Sequence, residues 1–432
     1  MLALAPDGKA AAAARKLARP GPWSDLGATD ALVFGSCQGS GRVPYQVAVD
    51  LGEPAFRCTC PSRKFPCKHG LALLMLWADG GGSVADVSAA PDHAGEWASA
   101  RTERAARAAG RAGRENAGPA DPEAQARRLD ARIRRMTDGL ADLELWLTDL
   151  TRNGLAAARA QPRSFWDQAA ARLVDAQMPA LAGRVRDLAA VSVTGEDWAD
   201  RLLEELARCW LAVRAWSRRA ELPPAVLADL RVVLGWPLRN DEVLATGERR
   251  LGDWQVLGVG RDDLDAVTAQ RTWLHDAGSG ETVQVLDFAA GGGSLPVPPV
   301  VGSVVRAELA LYPGSGPRRA LFAGDREVSA GATGLAMGTL IDDGLAAAAE
   351  RLAANPWADR LPLALREVRL VRHGRRTAVV DRDGHGLPVD PRIDVGAVLA
   401  VSGGGDCDLF GEWDGRNLRP LAAMVGGEVV VT

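Results

Sequence analysis

Lysine is almost missing from this chain of 432 residues: only Lys9, Lys16, Lys64 and Lys68 stand among 51 basic side chains. Arginine carries nearly all the positive charge. With heavy alanine and glycine usage, this is the composition of a high-GC bacterial coding bias, which bears on source and not on mechanism. A basic excess is missing too, since 55 acidic residues leave a net charge of −4. Any surface that meets nucleic acid must therefore be local. Cysteine is scarce at six, and Cys37, Cys209 and Cys407 are scattered through the chain. That excludes a disulfide framework and fits a reducing compartment. No apolar run approaches the roughly 20 residues of a bilayer crossing. The N-terminus lacks the basic stretch and long apolar run of a secretory signal. A cytoplasmic protein with no membrane partner is expected.

Catalytic signatures are also absent. There is no His-Glu-x-x-His and no Gly-x-Ser-x-Gly. Gly291-Gly292-Gly293 and Gly403-Gly404-Gly405 lack the context of a dinucleotide fingerprint and read as loops. Gly39-Ser40-Gly41 is not followed by Gly-Lys-Ser/Thr and reads as a hairpin turn. His275, His373 and His385 sit near turns and are expected to be ordinary surface residues. No small-molecule substrate is identified. The chain is read as non-enzymatic, and the alternative is an enzyme whose active site lies unrecognised in the C-terminal region.

What the chain does have is concentrated in twelve residues. Cys58-x-Cys60, a six-residue spacer and Cys67-x-His69 supply one complete tetrahedral ligand set for zinc. Borderline-soft Zn²⁺ favours thiolate and imidazole, and a site closed by four protein ligands is structural. In a strand, residues i and i+2 share a face, so Cys58 and Cys60 can present both sulfurs together. On a helix, i and i+2 diverge, so Cys67 belongs to a loop and His69 to the start of a helix near Lys68. Pro61 and Pro66 restrict the spacer and lower the entropy cost of closing the site. Catalytic zinc requires an open coordination position. The deaminase pattern, His-x-Glu with a later Pro-Cys-x-x-Cys, is not here, because Pro66-Cys67 runs into Lys68-His69.

These residues resemble the SWIM zinc finger, Cys-x-Cys, a variable spacer, then Cys-x-His, over roughly residues 30–80. Pro44-Tyr45-Gln46-Val47 and the Pro61–Pro66 spacer are similar to bacterial members. The resemblance implies a ββα arrangement that binds DNA or proteins.

Four regions follow along the chain. Residues 1–80 hold an N-terminal helix (Lys9–Arg19), strands at Ala31–Gly35, Tyr45–Val49 and Ala55–Cys58, and the finger helix. Residues 81–121, rich in Ala, Gly and Arg, read as a flexible linker, with Gly110 and Gly113 breaking the possible stripe of Arg101, Arg104, Arg107, Arg111 and Arg114. Residues 122–244 are helical. Leu140, Leu143, Leu147 and Leu150 mark one face, and Leu202, Leu203, Leu206, Trp210 and Val213 another. Trp146, Trp166, Trp198, Trp210 and Trp216 are expected in the core of a bundle of four to six helices. Residues 245–432 are β-rich, as an antiparallel sheet or small barrel, with strands at Val283–Phe288, Val304–Leu309, Val368–Val371, Thr377–Val380 and Val395–Val401 and a helix near Asp343–Ala354. The fold class is multidomain α+β.

Around the metal ligands, Arg57, Arg63, Lys64 and Lys68 are the candidate partner-binding residues, and they also offset the net charge near −1 of a Zn²⁺ with three thiolates. Four charges without interleaved aromatics beyond Phe56 and Phe65 make a protein partner the preferred expectation and DNA the second. Metal analysis of the reduced chain should return one zinc per molecule, and Cys60→Ser should remove it while the helical region stays folded. Finding no zinc in the unaltered protein would end this reading.

Overall fold

The computed structural model describes residues 8–39, 41, 43–52, 55–62, 66–80, 82–115, 121–264, 267–290, 295–331, 335, 338–374 and 376–432. The hairpin turn at Ser40 and the first glycine run fall wholly or partly outside these residues.

The N-terminal region comprises α1 (Gly8–Leu17), β1 (Trp23–Ala28), β2 (Leu32–Cys37), β3 (Tyr45–Asp50), β4 (Ala55–Cys58), α2 (Lys68–Ala78), β5 (Ala85–Asp86) and α3 (Asp92–Glu115). Its sheet runs β4-β3-β2-β1-β5, antiparallel except for the β1–β5 pair. The period-2 alternation of the strands sends Val33, Cys37, Val47 and Val49 into a core with Ala14 of α1 and Leu71 and Leu73 of α2. Phe34 and Ala48, from the alternate positions, pack with Ala94 of α3. The strands β3 and β4 with α2 form the expected ββα unit, set within a larger sheet covered on both faces. α3 occupies the stretch read as a solvated linker and runs through Gly110 and Gly113. Its first turns gain an apolar anchor, with Ala94 buried and Trp97 packed beside it, and this offsets the cost of glycine in a helix.

The helical region contains α4 (Pro122–Asn153), α5 (Leu155–Arg159), α6 (Arg163–Asp175), α7 (Pro179–Val191), α8 (Trp198–Ser217), α9 (Pro224–Leu234) and α10 (Asn240–Thr246). Asp121 caps α4 by accepting from the Ala124 amide at 2.9 Å, with proline at the first helical position. All four leucines of the α4 stripe are buried, against Trp166, Leu202, Leu206 and Trp216. Two expected core residues are not. Leu203 is 52% exposed and Trp210 37%, because the inward stripe of α8 is Leu202, Leu206, Cys209, Val213 and Trp216. Trp146 and Trp198 lie partly buried at its margin.

The C-terminal region begins with β6 (Glu248–Leu264), β7 (Val267–Asp276), β8 (Glu281–Ala290), β9 (Ser303–Leu311), β10 (Arg318–Phe322) and β11 (Glu327–Gly331). The first half of β6 pairs with β9 and its second half with β7, while β10 joins β8 in parallel and β9 antiparallel. Five strands thus close in the order β6-β7-β8-β10-β9, with β11 added outside β9. This is the connectivity of a five-stranded OB barrel. After it come α11 (Ile341–Ala354), β12 (Leu361–His373), β13 (Arg376–Val380), β14 (Gly386–Pro388), α12 (Gly396–Ser402), β15 (Cys407–Trp413), β16 (Leu418–Val425) and β17 (Glu428–Val431). These strands form an antiparallel sheet ordered β14-β13-β12-β15-β16-β17. Barrel and sheet, alternatives from sequence, are both present. The expected strand Val395–Val401 is instead α12, whose Gly396 amide donates to Asp394 Oδ1 at 3.0 Å. Val395 and Val398 bury at helical spacing, and a continuous apolar run carries no period that separates strand from helix.

The sheet packs on the barrel. Leu257 and Trp273 meet Ala364, Phe410 and Leu421, and a Cβ on Gly258 would lie 2.8 Å from Phe410. Beside this contact Glu412, 1% exposed, accepts from Trp273 Nε1 at 2.9 Å, Arg271 at 3.1 Å and Arg360 at 3.0 Å. Asp262 accepts from Arg360 at 3.2 Å and Arg419 at 2.7 Å. Removing one member of such a buried network strands the others without partners. Glu412→Ala should therefore cost about 3–5 kcal/mol in denaturant unfolding. A loss below about 1 kcal/mol would show that the network is energetically idle.

Candidate metal centre

Four ligand atoms converge where the end of β4 faces the start of α2. Cys58 is the last residue of β4, and pairing continues one residue further, with the Thr59 amide donating to Gln46 O at 3.1 Å and the Gln46 amide to Thr59 Oγ1 at 3.0 Å. This clamp carries the chain past the strand end and delivers Cys60. Cys67 is extended, at φ −74° and ψ 164°, and caps a helix that begins at Lys68. His69 is the second helical residue, as the i and i+2 geometry demanded.

The sulfurs of Cys58, Cys60 and Cys67 and a ring nitrogen of His69 all lie within 4.8 Å of one another. His69 Nδ1 is 3.7 Å from Cys58 Sγ and 3.9 Å from Cys67 Sγ. Bonds of about 2.3 Å to sulfur and about 2.0–2.1 Å to nitrogen put tetrahedral ligands roughly 3.5–3.8 Å apart. The side chains are therefore spaced for one zinc ion. Among the described residues it is the sole cluster of three or more histidine, cysteine or acidic side chains so arranged.

The protonation of the group reflects its crowding. Hydrogen bonds to Cys60 and Cys67 push the Cys58 thiol up, while those from Cys58 and Cys67 hold Cys60 well below the ordinary thiol range. Burial works to lower His69, but the Cys60 and Cys67 sulfurs outweigh it and raise the imidazole to about 9. Zinc replaces these shared protons, so its binding releases protons and weakens as pH falls. Cys37 lies buried beneath the group on β2, its thiol raised by burial, and is not a member of it.

Residues 45–77 match the family model of the SWIM zinc finger. A second match covers residues 131–234, the SWIM-associated four-helix bundle domain, which here spans most of α4 through α9. No curated protein and no solved structure matches the chain. The SWIM resemblance read from Cys58, Cys60, Cys67 and His69 therefore holds for the finger, and a bundle domain of the kind associated with that finger follows it.

The structure places the charged residues around the SWIM finger unevenly. Arg57 Nη1 donates to His93 O at 2.9 Å and so ties β4 to α3. Lys68 is exposed in the first turn of α2. Arg63 and Lys64 lie outside the described residues. Sequence reasoning missed two neighbours that fix the histidine. Tyr45 packs against His69 with ring centroids 5.1 Å apart and planes tilted by 44°. Gly70 lets Phe56 lie against the helix, since a Cβ there would stand 2.8 Å from Phe56 Cδ1. The glycine directly after a ligand was the available signal. Gly70→Ala should cost roughly 1–3 kcal/mol through overpacking, despite the better helix propensity of alanine. Zinc affinity should fall with it, and Phe56→Leu in the same chain should recover most of the loss. Unchanged zinc affinity and melting in Gly70→Ala would refute this packing account.

Proposed function

We propose that the finger is a structural zinc module through which the chain recognises a protein partner, without catalysing a reaction itself. The observation that carries this is a complete protein ligand set: three cysteines and one histidine fill a tetrahedron and leave no position for substrate or water. The charges nearby favour protein over nucleic acid as the partner. One of the candidate phosphate-binding residues, Arg57, spends its guanidinium on the His93 carbonyl. Trp77 on α2 is 40% exposed and Val43 beside β3 is 77% exposed, apolar side chains suited to a protein surface. Barrels with the C-terminal connectivity use the face of their second and third strands for oligonucleotides. Here Trp273 of the second strand is covered by the C-terminal sheet, which argues against that use.

Titrating the zinc-loaded chain with duplex and single-stranded DNA across a salt series should show no micromolar binding. A photo-crosslinker placed at position 77 should capture a protein, with a yield that falls when zinc is chelated. Micromolar DNA binding with a log–log salt slope of about −3 to −4, abolished by Arg63→Ala with Lys64→Ala, would overturn the preference.

A further inference from the structure

A groove on the helical region is built wholly from residues outside the finger. Gln125, Ala126, Arg128, Leu129 and Arg132 of α4, with Trp236 from the segment after α9, line a groove of about 480 Å³. Arg128 and Arg132 are one helical turn apart and therefore share a face of α4. The Arg132 guanidinium lies 4.3 Å from the Trp236 ring centroid, and that of Arg231 lies 5.0 Å from the same centroid. One indole thus gathers two cations, with a third on the groove wall.

Several arginines elsewhere are matched with carboxylates, as Arg184 is with Asp359 and Arg318 with Glu281. Around this groove they are not. Among the described residues no carboxylate forms an ion pair with Arg128, Arg132 or Arg231, and no acidic side chain lines the cavity. Arg132 Nε is buried without an acceptor, and burial lowers the pKa of that guanidinium. The guanidiniums on the groove wall have no carboxylate to compensate them, so an oxyanion entering the groove would meet their charge directly.

We propose that this groove binds a phosphate-bearing ligand of nucleotide size. Guanidinium forks match phosphate oxygens in pairs, which a point-charge ammonium does not. The volume falls within the range of small-molecule sites. Leu129, 43% exposed, and Ala126 supply an apolar wall for the nucleoside, while the Trp236 ring is already engaged by guanidinium.

Isothermal titration of the zinc-loaded full chain with AMP, inorganic phosphate and adenosine tests the assignment. AMP should bind saturably at one per chain and more tightly than either phosphate or adenosine. Arg128 is exposed, so its variants should keep the circular dichroism and zinc content of the parent. Arg128→Ala should weaken AMP about tenfold, the worth of one charge-assisted pair, and Arg128→Glu should abolish binding. Leu129→Ser should weaken AMP and leave inorganic phosphate unchanged. No AMP binding at millimolar concentration, or equal binding by Arg128→Glu, would overturn the site. Adenosine binding as tightly as AMP would overturn phosphate recognition, and phosphate binding as tightly as AMP would overturn the nucleotide assignment.

Discussion

Bringing three thiols and an imidazole within 4.8 Å of each other is the constraint on which the N-terminal region turns. Thiolates crowded this closely repel unless protons or a divalent cation sit between them, and zinc does so while coupling its binding free energy to folding. Everything around the site serves the approach of two short segments. The Thr59–Gln46 clamp extends the pairing of β4 so that the Cys58 and Cys60 sulfurs lie together. The helical start at Lys68 presents the Cys67 sulfur and the His69 nitrogen, and Phe56 reaches the helix because Gly70 has no side chain. The metal centre and the core beneath α2 are consequently one structure. A change that shifts α2 against the sheet changes the ligand geometry as well.

A different kind of junction holds the C-terminal region together. There the contact between barrel and sheet combines a small apolar core with a network of arginines around Glu412 and Asp262. A buried carboxylate among guanidiniums is a demanding arrangement, since its geometry must satisfy every charge at once. It specifies one docking orientation of the sheet, and in doing so covers barrel side chains that would otherwise face solvent. Trp357 extends the same logic toward the helices. It enters the bundle core, and its Nε1 donates to Arg208 O at 3.1 Å, so the β-rich region and the bundle share buried surface.

The metal ligands were fully legible because their chemistry is local. Cys58, Cys60, Cys67 and His69 are close in sequence, and the geometry of i and i+2 on strand and helix dictated where each must sit. The leucine stripe of α4 was legible for the same reason, a period that any helix imposes. Legibility failed where the local pattern was silent or shared. Val395–Val401 is apolar throughout, and a short run of that kind is the same text in a strand and a helix. Leu203 and Trp210 looked like core, but they sit beside the stripe of Leu202, Leu206 and Val213, and burial there depends on which neighbour arrives. The helix α3 was hidden by its own glycines, because the Phe34 and Ala48 surface that anchors its start comes from strands far back in the chain.

The sequence by itself determined the identity of the zinc ligands, the helical start that carries His69, and the succession of a finger, helices and β-structure. Each of these follows from short-range spacing and hydrophobic period, which act before any distant contact forms. Only the tertiary structure decided that Arg57 is spent on a carbonyl of α3, that five strands close into a barrel, and that Arg128, Arg132 and Arg231 gather around Trp236 without carboxylates. These depend on which groups meet across long stretches of chain. A guanidinium has the same sequence signature whether it meets an anion, a carbonyl or water, and only packing chooses among them.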